Sequence, residues 1–181
     1  DIFLSHLPAD DIRAAQELHT RTFDVQAITT LDLGYVLFGD DYKRGEILAN
    51  LNREHHQAGN DCRGELADHL SNVLRLLPRL KDEELILELV REIMVPALAA
   101  MIAEFDPDRI RQKDESLKKH YKTLIESSDD RKTLYRHALA AVFQAICQDF
   151  GIEDIKTDRR TGCDFLKSIE TEMNIEKVEL Q

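Results

Sequence analysis

Glycine and proline are scarce in this sequence, with 7 glycines and 4 prolines among 181 residues. Turn-rich β architectures depend on both residue types, so their scarcity disfavours such a fold. No apolar run approaches the roughly 18 residues that a membrane-spanning helix needs, and no signal-peptide pattern opens the chain. The sequence therefore predicts a globular protein that is not inserted in a membrane.

Positive charge is also in short supply. The chain has 24 Lys and Arg against 35 Asp and Glu, which gives a formal net charge of −11. Phosphate binding relies on clustered Lys and Arg, so this balance argues against a nucleic-acid partner and against docking on anionic lipid. A basic peptide is compatible with the acidic surface, although most acidic proteins are merely soluble.

Cysteines are few, and Cys62, Cys147 and Cys163 form no CxxC pair. Their odd number makes a reduced, cytoplasmic location the simpler interpretation. Neither a phosphate-binding P-loop nor a GxSxG elbow is present. The sequence predicts no catalytic residue and no cofactor, although a Cys–His dyad stays open because sequence does not say which side chains meet.

A metal site is the other chemistry that the residues raise. His55, His56, Cys62 and His69 lie within a short stretch, but neither a helical His-x3-His nor a CxxC pair is present. Zinc sites normally use such paired spacings. A helical metal-binding protein that uses His55, His56 and His69 is kept as an alternative of a different class.

Apolar residues recur at three- and four-residue steps, the pattern of amphipathic helices. The longest stripe covers residues 81–105, and Pro96 inside it predicts a kink or a break. A second stripe covers 134–150, and Gly151 is a plausible C-terminal stop. Both stripes predict helices with one buried face.

Further helices are predicted at 8–22, 41–56 and 66–77, and start signals stand at 106–108 and 127–130. The polar segment after Gly151 is expected to be partly extended or mobile. Together these signals predict an all-α, single-domain bundle of about six or seven helices that spans residues 1–181.

Two segments carry a resemblance to a known family. Residues 21–45, RTFDVQAITTLDLGYVLFGDDYKRG, resemble the signature stretch of the nitrate reductase delta-subunit family, the NarJ-type molybdenum-cofactor assembly chaperones of the TorD-like superfamily. Residues 65–70, ELADHL, are similar to the family's E-x-P-D-H-x motif, with Ala67 where the family usually has proline. The similarity extends from about Leu18 to Gly151.

The resemblance implies a dedicated cytoplasmic chaperone with no enzymatic activity. Such proteins bind the N-terminal segment of the catalytic subunit of a respiratory nitrate reductase, assist insertion of its molybdenum cofactor and delay its membrane attachment. Related chaperones serve selenate, chlorate and similar reductases, so the client molybdoenzyme stays open.

A helical bundle binds a peptide helix in an apolar groove between its own helices. We expect Leu31, Tyr35 and Phe38 to line one wall of such a groove. We expect Asp68 and His69 at its mouth, where Asp68 would pair with a Lys or Arg of the client and His69 would gain charge at mildly acidic pH. The predicted peptide-binding set is Leu31, Tyr35, Phe38, Glu65, Asp68 and His69.

Each of these assignments has a purely structural alternative. Leu31, Tyr35 and Phe38 are at helical spacing, so core packing explains them equally well. Asp68 is well placed to cap the helix that follows it. The run Asp40, Asp41, Lys43 and Arg44 reads as a solvated turn and helix start.

Overall fold

The computed structural model describes residues 2–120 and 133–152, without the side chains of 117–120. The start signal predicted at 127–130 and the tail after 152 lie outside these residues. The helices are α1 (Ile2–His6), α2 (Ile12–Phe23), α3 (Leu33–Phe38), α4 (Tyr42–Gln57), α5 (Leu70–Leu76), α6 (Glu83–Glu88), α7 (Val95–Ala103), α8 (Pro107–His120) and α9 (Leu134–Asp149). A 3-10 turn, Leu77–Arg79, follows α5, and a π turn, Leu89–Met94, joins α6 to α7.

The predicted all-α fold is confirmed. If α6, the π turn and α7 are counted as one continuous helix, the described part of the chain has eight helices. The sequence predicted six or seven. Helix α1 is not among the helices that the sequence pattern predicted. It is held against α9, where the Phe3 and Tyr135 rings lie 5.4 Å apart between centroids. Within the described ranges, no helix is both long and apolar enough to cross a membrane.

Aspartate side chains start four of the helices. Asp11 accepts a hydrogen bond from the amide of Arg13, and Asp41 accepts one from Lys43, each at 3.0 Å. The other two caps, Asp82 and Asp106, make the same kind of bond at 2.9 Å. Each satisfies amides that have no partner inside the helix, which is typically worth about 1 kcal/mol. The start predicted at 106–108 is confirmed.

Pro96 lies at the second position of α7, directly after the π turn. Proline has no amide hydrogen to donate to the residue four positions earlier. The helix changes its hydrogen-bonding pattern over Leu89–Met94 instead of separating into two helices joined by a loop. The predicted interruption is therefore present, in the form of a π turn on the N-terminal side of the proline.

The core is built around α7 and the π turn. Six of their side chains are wholly buried: Val90, Ile93, Met94, Ala97, Leu98 and Met101. Helix α9 packs against α7, and α3 packs against α7, the π turn and α4. Helix α3 is short, so these contacts fix one side of it and leave Tyr35 at the surface.

Glu104 holds the corner between α7 and α8. Its carboxylate accepts from Arg109 Nη1 at 2.5 Å and from Lys113 Nζ at 2.8 Å. Lys113 also donates to the carbonyl of Ile28, which ties α8 to the segment before α3. Burial alone would raise the pKa of Glu104, but the hydrogen bonds and charges of Lys113 and Arg109 outweigh it and lower that pKa.

Replacing Glu104 with glutamine is expected to lower the free energy of unfolding by about 1 kcal/mol at pH 7. A folded-state pKa below the unfolded value contributes stability above the unfolded pKa, and this contribution is lost as pH falls through the folded pKa. The difference between wild type and Glu104→Gln should therefore shrink as pH falls through the lowered folded-state pKa of Glu104, measured by urea unfolding across pH. Glu115→Gln, at an exposed position of α8, is the control. An equal loss at both ends of the pH range would contradict the ionic explanation.

Candidate binding site at the junction of helices α3, α4 and α5

The two segments that carry the family resemblance meet in space through their backbones. The amide of Leu33 donates to the carbonyl of Asp68 at 3.0 Å, and the amide of Leu70 donates to the carbonyl of Leu31 at 2.8 Å. Asp32 and His69 form an isolated antiparallel bridge. We call this structure the junction; it comprises residues 31–35, Arg44 and residues 65–70.

Asp68 lies at the centre of the junction and is wholly buried, with 0% of its side chain exposed. Its Oδ2 accepts from the amide of Gly34 at 3.1 Å, so Asp68 caps the start of α3 from outside that helix. The expectation that Asp68 stands at a groove mouth and meets a client cation is wrong, because its carboxylate is enclosed by its own chain. Capping of α5 by Asp68 is also wrong, since the cap is His69, which accepts from the amide of Ser71.

Arg44 joins the two acidic residues of the junction. Its Nε donates to Asp68 Oδ2 at 3.2 Å, and its Nη2 donates to Asp32 Oδ2 at 3.0 Å. The guanidinium carbon also lies 5.1 Å from the ring centroid of Tyr35, a cation–π distance. Only 16% of the Arg44 side chain is exposed, so its assignment to a solvated turn is wrong. Asp41, three residues before Arg44, does start α4 as predicted.

The junction holds more negative than positive charge. Two carboxylates, Asp32 and Asp68, face one guanidinium. Burial is the main cause that raises the pKa of Asp32, and the charge of Asp68 raises it further, against the opposing effects of Arg44 and His69. Asp68 Oδ1 is buried and has no hydrogen-bond partner among the described residues. Two carboxylates thus share one guanidinium.

The three predicted wall residues differ in position. Tyr35 lies on α3 and is 42% exposed. Leu31 precedes α3, and both Leu31 and Phe38 are half-buried and packed against the core. Core packing therefore accounts for Leu31 and Phe38, and Tyr35 is the one of the three that is largely exposed to solvent.

The remaining predicted residues flank the junction. Glu65 is exposed, and His69 is half-buried with its Nδ1 2.9 Å from Ser71 Oγ. Sequence reasoning missed Asp32 and Arg44 as members of this site. The sequence gives a weak indication of Asp32, because aspartate is a preferred residue directly before a helix. Arg44 carries none, since 24 residues separate it from Asp68 and no local pattern links them.

A second polar network contacts the junction through the carbonyl of Ala67. His55 is buried, with Nε2 3.0 Å from the carbonyl of Ala67 and Nδ1 2.9 Å from Asn60 Nδ2. Because a carbonyl only accepts, Nε2 carries the proton and Nδ1 accepts from Asn60. Asn60 Nδ2 also donates to the carbonyl of Asn72 at 3.1 Å. The network ties α4 and α5 to the loop that carries Asp68.

This network bears on the metal-binding alternative. Both ring nitrogens of His55 are engaged by protein groups, so His55 binds a metal only if these hydrogen bonds break. Within residues 2–120 and 133–152, no group of three or more His, Cys, Asp or Glu side chains is arranged to hold a metal ion. The geometry thus favours a structural role for His55.

Replacing Asn60 with alanine is expected to cost about 2–3 kcal/mol of unfolding free energy, because His55 Nδ1 and the carbonyl of Asn72 both lose a donor in a buried site. Asn52→Ala, at an exposed position of α4, should change stability by less than about 0.5 kcal/mol. Thermal and urea unfolding measure both variants. A loss for Asn60→Ala no larger than that of the control would show that the network contributes little.

Comparison with known proteins gives no match: no family model, characterised protein or solved structure shows significant similarity to this chain. The junction geometry and the resemblance of its two segments are the observations on which a function rests.

Proposed function

We propose that this protein is a client-specific chaperone that binds the N-terminal segment of the catalytic subunit of a respiratory nitrate reductase while the molybdenum cofactor is inserted. In this proposal it binds one client stoichiometrically in the cytoplasm, turns over no substrate and carries no cofactor of its own.

The junction is the observation that carries the proposal. The two segments that resemble the NarJ-type family are 20 or more residues apart in sequence, yet their backbones pair and their side chains share one ion cluster. A chance likeness in two unrelated stretches gives no reason for them to build one structure. Their pairing supports the view that they act together.

The surface around the junction has the character that a peptide partner needs. Tyr35 and Leu66 of the junction are exposed, as is Tyr42, two residues before Arg44. Apolar contact contributes roughly 25 cal/mol per Å² buried, so a few such side chains supply most of the affinity. Acidic neighbours such as Asp40 and Glu65 then favour a basic segment and speed its encounter.

Titration calorimetry with a peptide of the reductase's N-terminal segment tests the proposal. We expect one-to-one binding to the wild type and roughly tenfold weaker binding to Tyr35→Ala, since exposed aromatic anchors commonly contribute more than 1 kcal/mol. Ile12→Ala removes an apolar side chain of α2 that is more exposed than Tyr35, 73% against 42%, and should leave binding unchanged. Absence of measurable binding to the wild type at low and moderate salt would refute the proposal.

A test in cells addresses the assembly role. Loss of the gene should leave the reductase subunit present but poor in molybdenum cofactor, and a fully loaded enzyme in that strain would refute the assignment. Parallel assays of selenate and chlorate reductases identify the client if it is a related molybdoenzyme. The metal-binding alternative predicts stoichiometric zinc or iron in the purified protein that His69→Ala abolishes.

A further inference from the structure

Asp32 occupies an unusual position in the junction. It is the N-cap residue of α3, but its side chain makes no capping hydrogen bond. Asp68 supplies that bond instead, through the amide of Gly34. The Asp32 carboxylate turns toward Arg44 and keeps 24% of its side chain exposed. Asp32 therefore does not perform the task that an aspartate at a helix start ordinarily performs.

The charge of Asp32 is a cost to the fold. Burial, followed by the charge of Asp68, raises its pKa, so the native state holds a proton on Asp32 more tightly than the unfolded chain does. Stability contributed by this group is greatest at low pH and declines as pH rises through the raised pKa. At neutral pH the ionised form of Asp32 is therefore less favourable in the native state than in the unfolded chain, although its carboxylate still accepts a hydrogen bond from Arg44 at 3.0 Å.

Arg44 is the one guanidinium that the two carboxylates of the cluster contact. Arg44 is shared between Asp32 and Asp68, and Asp68 Oδ1 is buried without a partner among the described residues. One more cation near Asp32 would neutralise the cluster and leave Arg44 free to satisfy Asp68 more fully.

The neighbour of Asp32 suits a cationic side chain. Tyr35 is exposed and already attracts one guanidinium, that of Arg44, at a cation–π distance. A carboxylate beside an aromatic ring is the combination that binds arginine and lysine, through charge-assisted hydrogen bonds and the ring face.

We propose that Asp32 is the specificity-determining residue for an arginine or lysine of the client segment, which binds the exposed side of Asp32 beside Tyr35. The proposal deepens the chaperone function and rests on it, because the cation belongs to the client peptide. Arg44 remains on Asp68 and holds both α3 and the ring of Tyr35 in place.

A purely structural role for the Asp32–Arg44 ion pair predicts a different effect of replacing Asp32. If Asp32 served only to hold Arg44, its loss would destabilise the fold. If it serves the client, asparagine in its place keeps the shape, removes the costly charge, and weakens binding without lowering the melting temperature. Stability and binding therefore move independently under the proposal.

The experiment compares wild type, Asp32→Asn and Asp40→Asn in calorimetric titrations with the reductase's N-terminal peptide. Asp40 is exposed and close in sequence, so Asp40→Asn matches the change in net charge. We expect roughly 5- to 30-fold weaker binding for Asp32→Asn and less than about twofold for Asp40→Asn. A peptide with citrulline for arginine and norleucine for lysine should bind wild type and Asp32→Asn equally.

The outcomes distinguish a failure of this inference from a failure of the proposed chaperone function on which it rests. Equal binding of the unmodified peptide to wild type and Asp32→Asn, or a lower melting temperature in Asp32→Asn with equal losses for both peptides, would overturn the role of Asp32 and leave the chaperone function standing. No binding of the peptide to wild type would overturn both.

Discussion

Replacing Gly34 with alanine is expected to lower the free energy of unfolding by about 2–3 kcal/mol. A Cβ at this position would lie 2.8 Å from Asp68 Oδ2 and 3.3 Å from Arg44 Cγ. Asp68 is wholly buried and held by two donors, so its carboxylate has no free direction in which to move. The methyl group would therefore separate α3 from its cap, and urea unfolding measures the loss.

Gly45 provides a matched control on the neighbouring helix. It lies inside α4, and apart from the adjacent residues and the backbone of its own helix, an added Cβ would have no heavy atom within 4 Å. Gly45→Ala should raise the free energy of unfolding by about 0.5–1 kcal/mol, because glycine in a helix interior is less favourable than alanine. We therefore expect the free energy of unfolding to fall in Gly34→Ala and to rise in Gly45→Ala. A gain in stability for Gly34→Ala would show that α3 and Asp68 do not approach as closely as the structure indicates.

The helices that the sequence predicted well are those with a long apolar stripe. The stripe at 134–150 corresponds to α9, Leu134–Asp149, and Gly151 follows with a φ of 61°, a conformation in which glycine is favoured. Local chemistry alone determines these features. Helix α5 was less well predicted, because it begins at Leu70 and not near Leu66. The preceding residues pair with the segment before α3, and a single-segment pattern does not show that contact.

The site was harder to predict than the fold because its contacts join distant parts of the chain. The residue types Asp, His and Tyr were recognised from the two motifs, but their environments depend on Arg44, which reaches across 24 residues to Asp68. Burial reversed the expected role of Asp68 from client contact to internal cap. The same burial left Asp32, which no motif singled out, as the carboxylate with an exposed side.

The ion cluster of the junction should be the most sensitive point of the fold. Replacing Arg44 with methionine keeps much of the apolar volume but removes the cation from Asp68, whose side chain is fully enclosed. Breaking a buried pair by removing one partner commonly costs about 3–5 kcal/mol, since an uncompensated charge remains inside. We expect a loss in this range for Arg44→Met by urea unfolding. Arg53→Met removes an exposed arginine of the same helix and should cost less than about 0.5 kcal/mol.

A double variant shows whether the stability lost in Arg44→Met comes from the uncompensated charge of Asp68. Asp68→Asn retains an oxygen that accepts from the amide of Gly34 while it removes the charge. The double variant Arg44→Met/Asp68→Asn should therefore be about 1–2 kcal/mol more stable than Arg44→Met alone, a coupling typical of residues in one ion network. Strict additivity of the two single losses would mean that Arg44 contributes through its packing on Tyr35 and α3, and that the carboxylate of Asp68 reaches solvent once the arginine is gone. The coupling energy thus tests whether Asp68 is buried. The assignment of Asp68 as an internal cap, and of Asp32 as the carboxylate that binds the client, depends on that burial.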